Sequence, residues 1–431
     1  MVPSPRWRIL TAVTVAETQR GIGSVYGTSR ERAYDRWFRY PAGFSPEALE
    51  LALAAVAPAR GSLVVDPFFG AGTASSALAG SRVVGIEAHP LIAELAATKL
   101  ARPPGRADGL RRAAHALVTR ADRLTTDTET EHTLVRRCFD PAVLERLVAM
   151  RHALDGGSRS PWRRYLRWAL LGTLRDVASV KVGWPYQRPA VEREAPHRDP
   201  VARMLERAEM IAVDLEDGVR PRGRVVRGDA RCARTWRRAA STGGFDGCIT
   251  SPPYLNNFDY ADATRLELYF LGTVSSWAQM CGEVRSGMVV ATTQQSGRRH
   301  ADRALVRLRR YKSLYSEVAE LTTKLGVERG RRARGKEYDQ VLPAYFADLA
   351  RVLVNLHANS VRGARAAWLI GDSAPYGVHI DTPRLVAVLA RDVGFTLADD
   401  VAVRSRGLRW RTNGSRHQVA LTERLITLQR T

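Results

Sequence analysis

The residues best suited to chemistry follow an apolar run in the second half of the chain. Phe245–Ile249 is followed directly by Thr250-Ser-Pro-Pro-Tyr254. Proline fixes its own φ angle and has no backbone N–H, so two consecutive prolines leave carbonyl oxygens with few competing donors. Such a loop suits a substrate group that donates hydrogen bonds, such as an amine. The candidate catalytic residues are therefore Ser251, Pro252, Pro253 and Tyr254.

These side chains suit an amine attached to an aromatic base. The nitrogen of such an amine is a poor nucleophile because its lone pair conjugates with the ring. Acceptors placed off the ring plane draw its hydrogens and shift the nitrogen toward tetrahedral geometry, which Ser251 Oγ and the Pro252 carbonyl can do. Tyr254 can stack on the face of a base, as aromatic residues do in enzymes that flip bases. Taken alone, Ser-Pro-Pro-Tyr is more typical of an ordinary turn after a buried strand.

A second candidate site lies in the first half of the chain, in Asp66-Pro-Phe-Phe-Gly-Ala-Gly-Thr73. Gly70 and Gly72 allow a tight turn and a close approach of the backbone to a ligand, and the N-terminus of a small-residue helix just beyond would bind a carboxylate. Glu87 ends the next apolar run, where an acid accepts hydrogen bonds from ribose hydroxyls. Asp229 ends a third run and can accept from an adenine amine. These features fit adenosylmethionine or a dinucleotide, although the third glycine of the dinucleotide fingerprint is missing.

The elements that position these residues alternate between strands and helices. Strands are predicted at 61–66, 82–87, 223–229, 245–250, 365–371, 396–403 and 425–428. Helices are predicted at 44–57, 91–100, 261–271, 341–356 and 382–393. This order predicts an α/β fold with a mostly parallel sheet and helices on both faces. Ligands bind beyond the carboxyl ends of the strands in such sheets, where both candidate sites lie.

Two segments interrupt the alternation. Residues 101–221 begin with a polar, linker-like stretch up to 132 and continue with helical periodicity at 141–154, 161–178 and 200–215. Residues 273–336 form a second, basic insertion, in which residues 297–336 hold 13 lysine and arginine residues against four acids. The catalytic core is then formed by residues 36–100, 222–272 and 337–431. We expect the basic stretch to contact phosphates, although a solvated loop would have the same composition.

The amino-acid composition restricts the classes of protein to which the chain can belong. The 431 residues carry a formal net charge of +22, which favours a polyanionic partner such as nucleic acid. Most of the basic residues are arginine, so a genomic bias toward arginine explains part of this excess. The four cysteines do not lie at metal-ligand spacing, and we expect no metal. The sequence has neither a signal peptide nor a transmembrane segment, which predicts a cytoplasmic protein without membrane contact.

At these motifs the sequence resembles the amino-methyltransferases of nucleic acids, especially the N4-cytosine and N6-adenine methyltransferases of DNA. Asp66–Thr73 is similar to their cofactor motif, and Thr250–Tyr254 is similar to their catalytic motif in the form commonest among N4-cytosine enzymes. Arg39–Ser45 resembles the motif before the cofactor loop, whose aromatic residue, Phe44 here, lines the methionine pocket. The resemblance implies a Rossmann-like class I core with a seven-stranded sheet. It implies that S-adenosylmethionine is held by Phe44, Asp66, Pro67, Phe68, Gly70, Gly72, Thr73, Glu87 and Asp229.

The resemblance implies methyl transfer to an exocyclic amine of a base flipped out of double-stranded DNA, most often cytosine N4 and next adenine N6. It also implies DNA methylation, with restriction-modification, phage defence and housekeeping all open as the biological setting. Because the cofactor motif precedes the catalytic motif here, unlike the family's commonest permuted order, the exact base stays open. Two alternatives remain: an RNA methyltransferase acting on guanine N2, and a nucleic-acid-binding regulator that senses S-adenosylmethionine without turnover.

Overall fold

The computed structural model of the chain describes residues 32–40, 44–76, 78, 80–156, 160–183, 188–192, 199–218, 220–240, 243–255, 259–293, 297–406 and 419–431. Its strands are β1 Leu63–Asp66, β2 Arg82–Glu87, β3 Val180–Lys181, β4 Arg188–Glu192, β5 Arg224–Arg227, β6 Phe245–Thr250, β7 Ser360–Gly371, β8 Phe395–Arg406 and β9 Leu421–Arg430. Its α-helices are α1 Pro46–Val56, α2 Pro90–Leu100, α3 Asp108–Ala121, α4 Thr133–Arg136, α5 Pro141–Asp155, α6 Arg163–Asp176, α7 Pro200–Asp217, α8 Ala233–Ala239, α9 Arg265–Phe270, α10 Trp277–Glu283, α11 Arg298–Leu308, α12 Lys312–Gly330, α13 Tyr338–Asn359 and α14 Thr382–Val393.

Seven strands form one sheet in the order β5-β2-β1-β6-β7-β9-β8, while β3 and β4 form a separate antiparallel pair. The neighbours β5, β2, β1, β6 and β7 pair in parallel, and β9 is antiparallel to both β7 and β8. The predicted α/β fold with a mostly parallel seven-stranded sheet is therefore confirmed. Parallel strands present their carboxyl ends at one edge, which is called the carboxyl edge below.

Helices cover both faces of this sheet because its central strands, β2, β1, β6 and β7, carry buried side chains on both sides. On one face α1 packs Ala48, Leu49 and Ala52 against Val64 of β1 and Ile249 of β6. On the other face α13 and α14 bury a larger cluster. That cluster includes Tyr345, Phe346, Leu349, Leu385, Leu389, Trp368 and Ile370. Helix α1 begins at Pro46, within the predicted range of 44–57, because the Ser45 side chain accepts a hydrogen bond from the Ala48 N–H and Pro46 follows the cap.

The segment 101–221 is mainly helical, as predicted, and it has its own apolar cluster. The interpretation of residues 101–132 as a linker is wrong, because α3 runs through this stretch and buries Leu110, Ala114 and Leu117. The apolar residues of α3 recur at helical spacing among many polar ones. The polar average of the stretch therefore concealed the apolar face of this helix. Asp214 of α7 also accepts hydrogen bonds from the backbone N–H of Tyr34 at 2.8 Å, which ties residues 32–40 to this segment.

The basic segment 273–336 is folded where the structure describes it. Helices α11 and α12 pack on α13 through Ala301, Ala304 and Leu308 from the first helix and Leu314 and Val318 from the second. Small apolar residues three and four positions apart give each helix one buried side, and the arginines occupy the remaining surface. The solvated-loop interpretation of this segment is therefore wrong for its described residues.

Candidate active site

A cavity opens at the carboxyl edge, beyond β1, β2, β5 and β6. It encloses about 570 Å³ of space, part of it open to solvent. Both predicted sites contribute to its lining. The predicted residues that line it are Pro67, Phe68, Gly70, Glu87, Asp229, Ser251 and Pro253. The glycine-rich loop and the Ser-Pro-Pro turn therefore face one space.

The glycine-rich loop lies directly on β2. The Phe69 N–H donates to the Ile86 carbonyl at 3.0 Å, and the Phe69 ring occupies the space beside Gly85. The chain turns at Gly70 and Gly72, whose φ angles of 52° and 81° fall in the left-handed region that favours glycine. This turn keeps the backbone of the loop against the wall of the cavity.

The prediction of a helix N-terminus beyond the loop is wrong for the residues that the structure describes there. Residues Thr73–Ser76 form a 3₁₀ helix, and the Ser75 N–H and Oγ both donate to the Gly72 carbonyl. A run of small residues offers too little apolar surface to hold a full helix on the sheet. The loop is held instead by Lys99 of α2, which donates to the Ala71 carbonyl at 3.0 Å and to Asp35 at 3.1 Å.

Glu87 joins the loop to the end of β2. Its carboxylate accepts hydrogen bonds from the N–H groups of Gly70 and His89, each at 2.7 Å. Glu87 lines the cavity, and a carboxylate has about four acceptor positions. Burial raises the pKa of Glu87 to about 7, and the backbone hydrogen bonds from His89, Gly70 and Ala88 offset only part of that effect.

Asp66 does not line the cavity, although it was predicted to contact the methionine end of the ligand. It is buried beneath the loop, where it accepts from Thr250 Oγ1 at 2.6 Å and from the Phe68 N–H at 3.0 Å. This bond joins the end of β1 to the end of β6. Burial raises the pKa of Asp66 to about 7.

Asp229 lines the cavity and is held by an arginine that the sequence analysis missed. Asp229 Oδ1 accepts from the Arg231 N–H at 2.7 Å and from Arg231 Nε at 2.9 Å. The same guanidinium donates to Asp348 of α13 at 2.7 Å and to the Ser286 carbonyl at 2.6 Å. In a sequence with so many arginines, no local signal separates Arg231 from its neighbours.

Residues 285–290, the wall segment, form another side of the cavity. Gly287, Met288 and Val289 line it, and the Val290 N–H donates to Asp348 at 3.1 Å. Arg285 at its start pairs with Asp259, which follows the Ser-Pro-Pro turn. The basic insertion therefore contributes to the cavity, whereas the sequence placed it outside the core.

Four other predicted cofactor or catalytic residues lie behind the cavity lining. Phe44 packs in the core with α1, and Tyr40 is the aromatic residue of the same motif that lines the cavity. Gly72 supports the turn, and Thr73 Oγ1 donates to Asp35 at 3.4 Å. Pro252, whose carbonyl was predicted to accept from the amine, is buried and does not line the cavity. Tyr260, which belongs to neither motif, also lines the cavity.

Tyr254 is buried behind Ser251 rather than exposed in the cavity. Its hydroxyl donates to Glu423 of β9 at 2.6 Å and accepts from Ser251 Oγ at 3.4 Å. The Arg406 guanidinium carbon lies 5.0 Å from the centre of its ring, so a cation covers one ring face. Burial raises the pKa of Tyr254 well above its ordinary value, and the Glu423 carboxylate raises it further.

Within the part of the chain that the structure describes, no cluster of three or more His, Cys, Asp or Glu side chains is placed to hold a metal ion. Among the same residues, no helix has both the length and the apolar character needed to cross a bilayer.

The contact between Phe69 and Gly85 gives a direct test of the loop position. A Cβ atom at Gly85 would lie 2.1 Å from Phe69 Cγ, so Gly85→Ala should lower the free energy of unfolding by roughly 1–3 kcal/mol through overpacking. Chemical denaturation measures this change. Gly80→Ala is the control, because its Cβ would meet no atom within 4 Å. Equal stability of the two variants would contradict the loop position.

The two buried carboxyls predict a pH dependence of stability. Folding raises the pKa of Asp66 from 3.8, and that of Glu87 from 4.5, to about 7. The folded chain then retains protons that the unfolded chain has lost, so the free energy of unfolding should fall as pH rises from about 4 to about 7 and level off above. Asp66→Asn should make that fall shallower, whereas the exposed-site control Asp302→Asn should not. An unchanged slope in denaturation of Asp66→Asn would count against the buried state of Asp66.

Comparison with known proteins supports the interpretation of the two motifs. No protein-family model matches the chain. Its sequence is 21% identical over 418 residues to the type II methyltransferase M.BsoBI of Geobacillus stearothermophilus, covering 86% of this chain and 80% of that protein. The solved rRNA methyltransferase aviRa from Streptomyces viridochromogenes aligns over 99% of this chain and 96% of that chain, but its TM-score of 0.32 and 11% identity are too low to bear on fold or activity. The long sequence match confirms the relationship predicted from the motifs, and the chain is a methyltransferase.

Proposed function

We propose that the protein transfers a methyl group from S-adenosylmethionine to an exocyclic amine of a base in DNA, cytosine N4 in the first place and adenine N6 in the second. One observation carries the proposal: Gly70, Glu87 and Asp229 line the same cavity as Ser251. A methyl donor and an amine must meet within a few ångströms and in line for transfer. Residues suited to each of the two ligands lie around this single space.

The cavity carries polar groups that suit the adenosyl cofactor. The Glu87 carboxylate suits ribose hydroxyls, and Asp229 suits the adenine amine, with Ile86 and Val289 offering apolar contact. When bound, the cofactor supplies a sulfonium-activated methyl group. Asp66 and Gly72 support the loop from behind, and Gly70 is the glycine at the cavity.

Ser251 is the side chain that would act on the amine. Ser251 lines the cavity, and its Oγ donates its own proton to the Tyr254 hydroxyl, so the oxygen can accept from the amine. An acceptor there pulls hydrogens out of the base plane and increases nucleophilic character at nitrogen. The Ser-Pro-Pro-Tyr form favours cytosine N4 by resemblance, and M.BsoBI is named a type II methyltransferase.

A basic surface at the carboxyl edge supports a nucleic-acid substrate. The Tyr376 hydroxyl, just beyond β7, donates to the Lys336 carbonyl at 2.9 Å, and the Arg332 guanidinium lies 4.2 Å from the Tyr376 ring centre. Asp339, at the start of α13, pairs with Arg298 and Arg329 and brings the ends of α11 and α12 to the same place. The exposed basic residues there, called the basic tip, are Arg298, Arg299, Arg331, Arg332, Arg334 and Lys336.

The experiment that tests the proposed function maps modified bases. We expect the protein, expressed in a methylation-free host, to leave methylated amines at one sequence context of the host DNA. Methyl transfer from labelled S-adenosylmethionine to that DNA and to tRNA should favour DNA. Transfer confined to tRNA would support the RNA alternative, and binding of cofactor and DNA without transfer would support the non-catalytic regulator.

Ser251→Ala should lower kcat on the order of 10²-fold, because one preorganised hydrogen-bonding group at the reacting atom is lost. The affinity for S-adenosylmethionine, measured by calorimetry, should stay unchanged. Ser275→Ala at an exposed position is the matched control. Turnover of Ser251→Ala at the wild-type rate would remove this residue from the chemistry.

The basic tip predicts a change in the salt dependence of DNA binding. Replacing Arg331, Arg334 and Lys336 by glutamine should weaken binding and reduce the slope of log K against log salt by up to about 3, since each lost phosphate contact contributes roughly 0.9. Fluorescence anisotropy with double-stranded DNA at several salt concentrations measures both quantities.

The chain offers a control with equal charge. Arg307, Arg309 and Arg310 are exposed at the turn between α11 and α12. That turn lies at the opposite edge of the sheet, because Ser313 beside it donates to Asp392 at the end of α14, just before β8 begins. Their replacement by glutamine should leave the slope nearly unchanged. An equal loss in both triple variants would mean that only net charge matters.

A further inference from the structure

Glu423 is a buried carboxylate that belongs to neither sequence motif. It lies on β9, opposite Gly371 of β7, with 4% of its surface exposed. Its two oxygens face two partners: the Tyr254 hydroxyl donates to Oε1 at 2.6 Å, and the Arg404 guanidinium pairs with both oxygens. Its position beside the catalytic motif suggests a role beyond holding the strand.

The hydrogen bonds form a row with a defined direction. A carboxylate only accepts hydrogen bonds, so the single Tyr254 proton points to Glu423. The Tyr254 oxygen is then an acceptor, and Ser251 Oγ donates to it at 3.4 Å. A serine that donates its only proton away from the cavity presents lone pairs to it. Glu423 therefore determines that Ser251 faces the cavity as an acceptor.

The surroundings of Tyr254 keep these hydrogen bonds in the direction from Ser251 through Tyr254 to Glu423. Burial, together with the nearby Glu423 carboxylate, raises the pKa of Tyr254 well above its ordinary value, which keeps the phenol protonated as a donor. Arg406 covers the Tyr254 ring and donates to the Asp372 carbonyl at 3.0 Å. Gly371 leaves space for the Arg406 guanidinium and the Tyr254 ring, because a Cβ at this position would lie 2.1 Å from Arg406 Nη1 and 3.1 Å from Tyr254 Cδ2.

We propose that Glu423 acts through Tyr254 and Ser251 as the orienting group and final proton acceptor for methyl transfer, an inference that rests on the proposed function. As the bond between the amine nitrogen and the methyl carbon forms, the sulfur–methyl bond breaks and leaves a neutral thioether. The nitrogen loses one proton to Ser251 Oγ. The Ser251 proton passes to the Tyr254 oxygen, and the Tyr254 proton passes to the Glu423 carboxylate.

A purely structural role for Glu423, as the partner of Arg404, leads to a different expectation. Loss of the ion pair would then lower stability, and the effect of a second change at Tyr254 would add to it. Groups that act as one unit show strong non-additivity instead. A double-mutant cycle on kcat therefore separates the two roles.

The experiment compares Glu423→Gln, Tyr254→Phe and the double variant of the full chain in single-turnover methyl transfer to host DNA. Each single change should lower the rate on the order of 10²-fold, the usual contribution of a proton-transfer group. The double variant should be no slower than the slower single variant. KM for DNA and Kd for S-adenosylmethionine should change less than about twofold, because the cavity lining is intact.

Glu131→Gln is the matched control. Glu131 is likewise buried and paired with an arginine, Arg151, but it lies in the helical segment before α4. Its replacement should leave the rate unchanged. If Glu423→Gln does not fold, as judged by thermal unfolding, Tyr254→Phe alone tests the row, because it keeps the ring and removes only the hydroxyl.

The outcomes distinguish this inference from the function on which it rests. Wild-type protein that transfers no methyl group would overturn both. An active wild type with a Glu423→Gln or Tyr254→Phe variant of wild-type rate would overturn only the role of Glu423. Additive losses in the double variant would do the same, and would leave Glu423 as the partner of Arg404.

Discussion

The proposed active site depends on the parallel pairing of β1 and β6. Val64 and Val65 lie in register with Gly247 and Cys248, so β1 ends within one residue of the end of β6. The buried hydrogen bond from Thr250 to Asp66 then joins the residues at which the two loops begin. A hydrogen bond to a buried carboxyl is costly to lose, because an unpaired polar group would remain in the interior. The cofactor loop and the Ser-Pro-Pro turn are held together by this contact, and their distance does not depend on either loop alone.

The remaining parts of the chain complete a site that the two loops leave open. The wall segment closes the cavity on a third side, and Arg231 holds it beside Asp229. The long strand β9 brings Glu423 behind the catalytic turn. Three regions far apart in sequence thus contact the residues around this one cavity. Such support from surrounding residues keeps the geometry of a catalytic site precise.

The sequence predicts the parts of this site that local pattern encodes. Gly70, Glu87 and Ser251 end or follow apolar runs that are predicted to be strands. Because the carboxyl ends of parallel strands lie at one edge of a sheet, the order of these runs along the chain predicts that the three residues lie close together. The fold class follows from the same alternation. Phe44 and Tyr40 belong to one motif, and only the packing of the chain before α1 decides which of them reaches the cavity.

Contacts between residues far apart in the sequence could not be predicted from local sequence patterns. Glu423 lies 169 residues from Tyr254, and the antiparallel register that joins them depends on the whole edge of the sheet. The helices α3, α11 and α12 were also missed, because their buried residues are small or sparse among charged ones. In both cases tertiary packing supplies the information that composition lacks.

The wall segment has a thermodynamic consequence. One side of it lines the cavity through Met288, and its first residue, Arg285, is paired with Asp259 beside the catalytic turn. Two ligands that touch opposite ends of one segment are linked: if the first changes the position of the segment, it changes the affinity of the second, and the second changes that of the first by an equal factor. The strength of this coupling then depends on six residues outside both motifs.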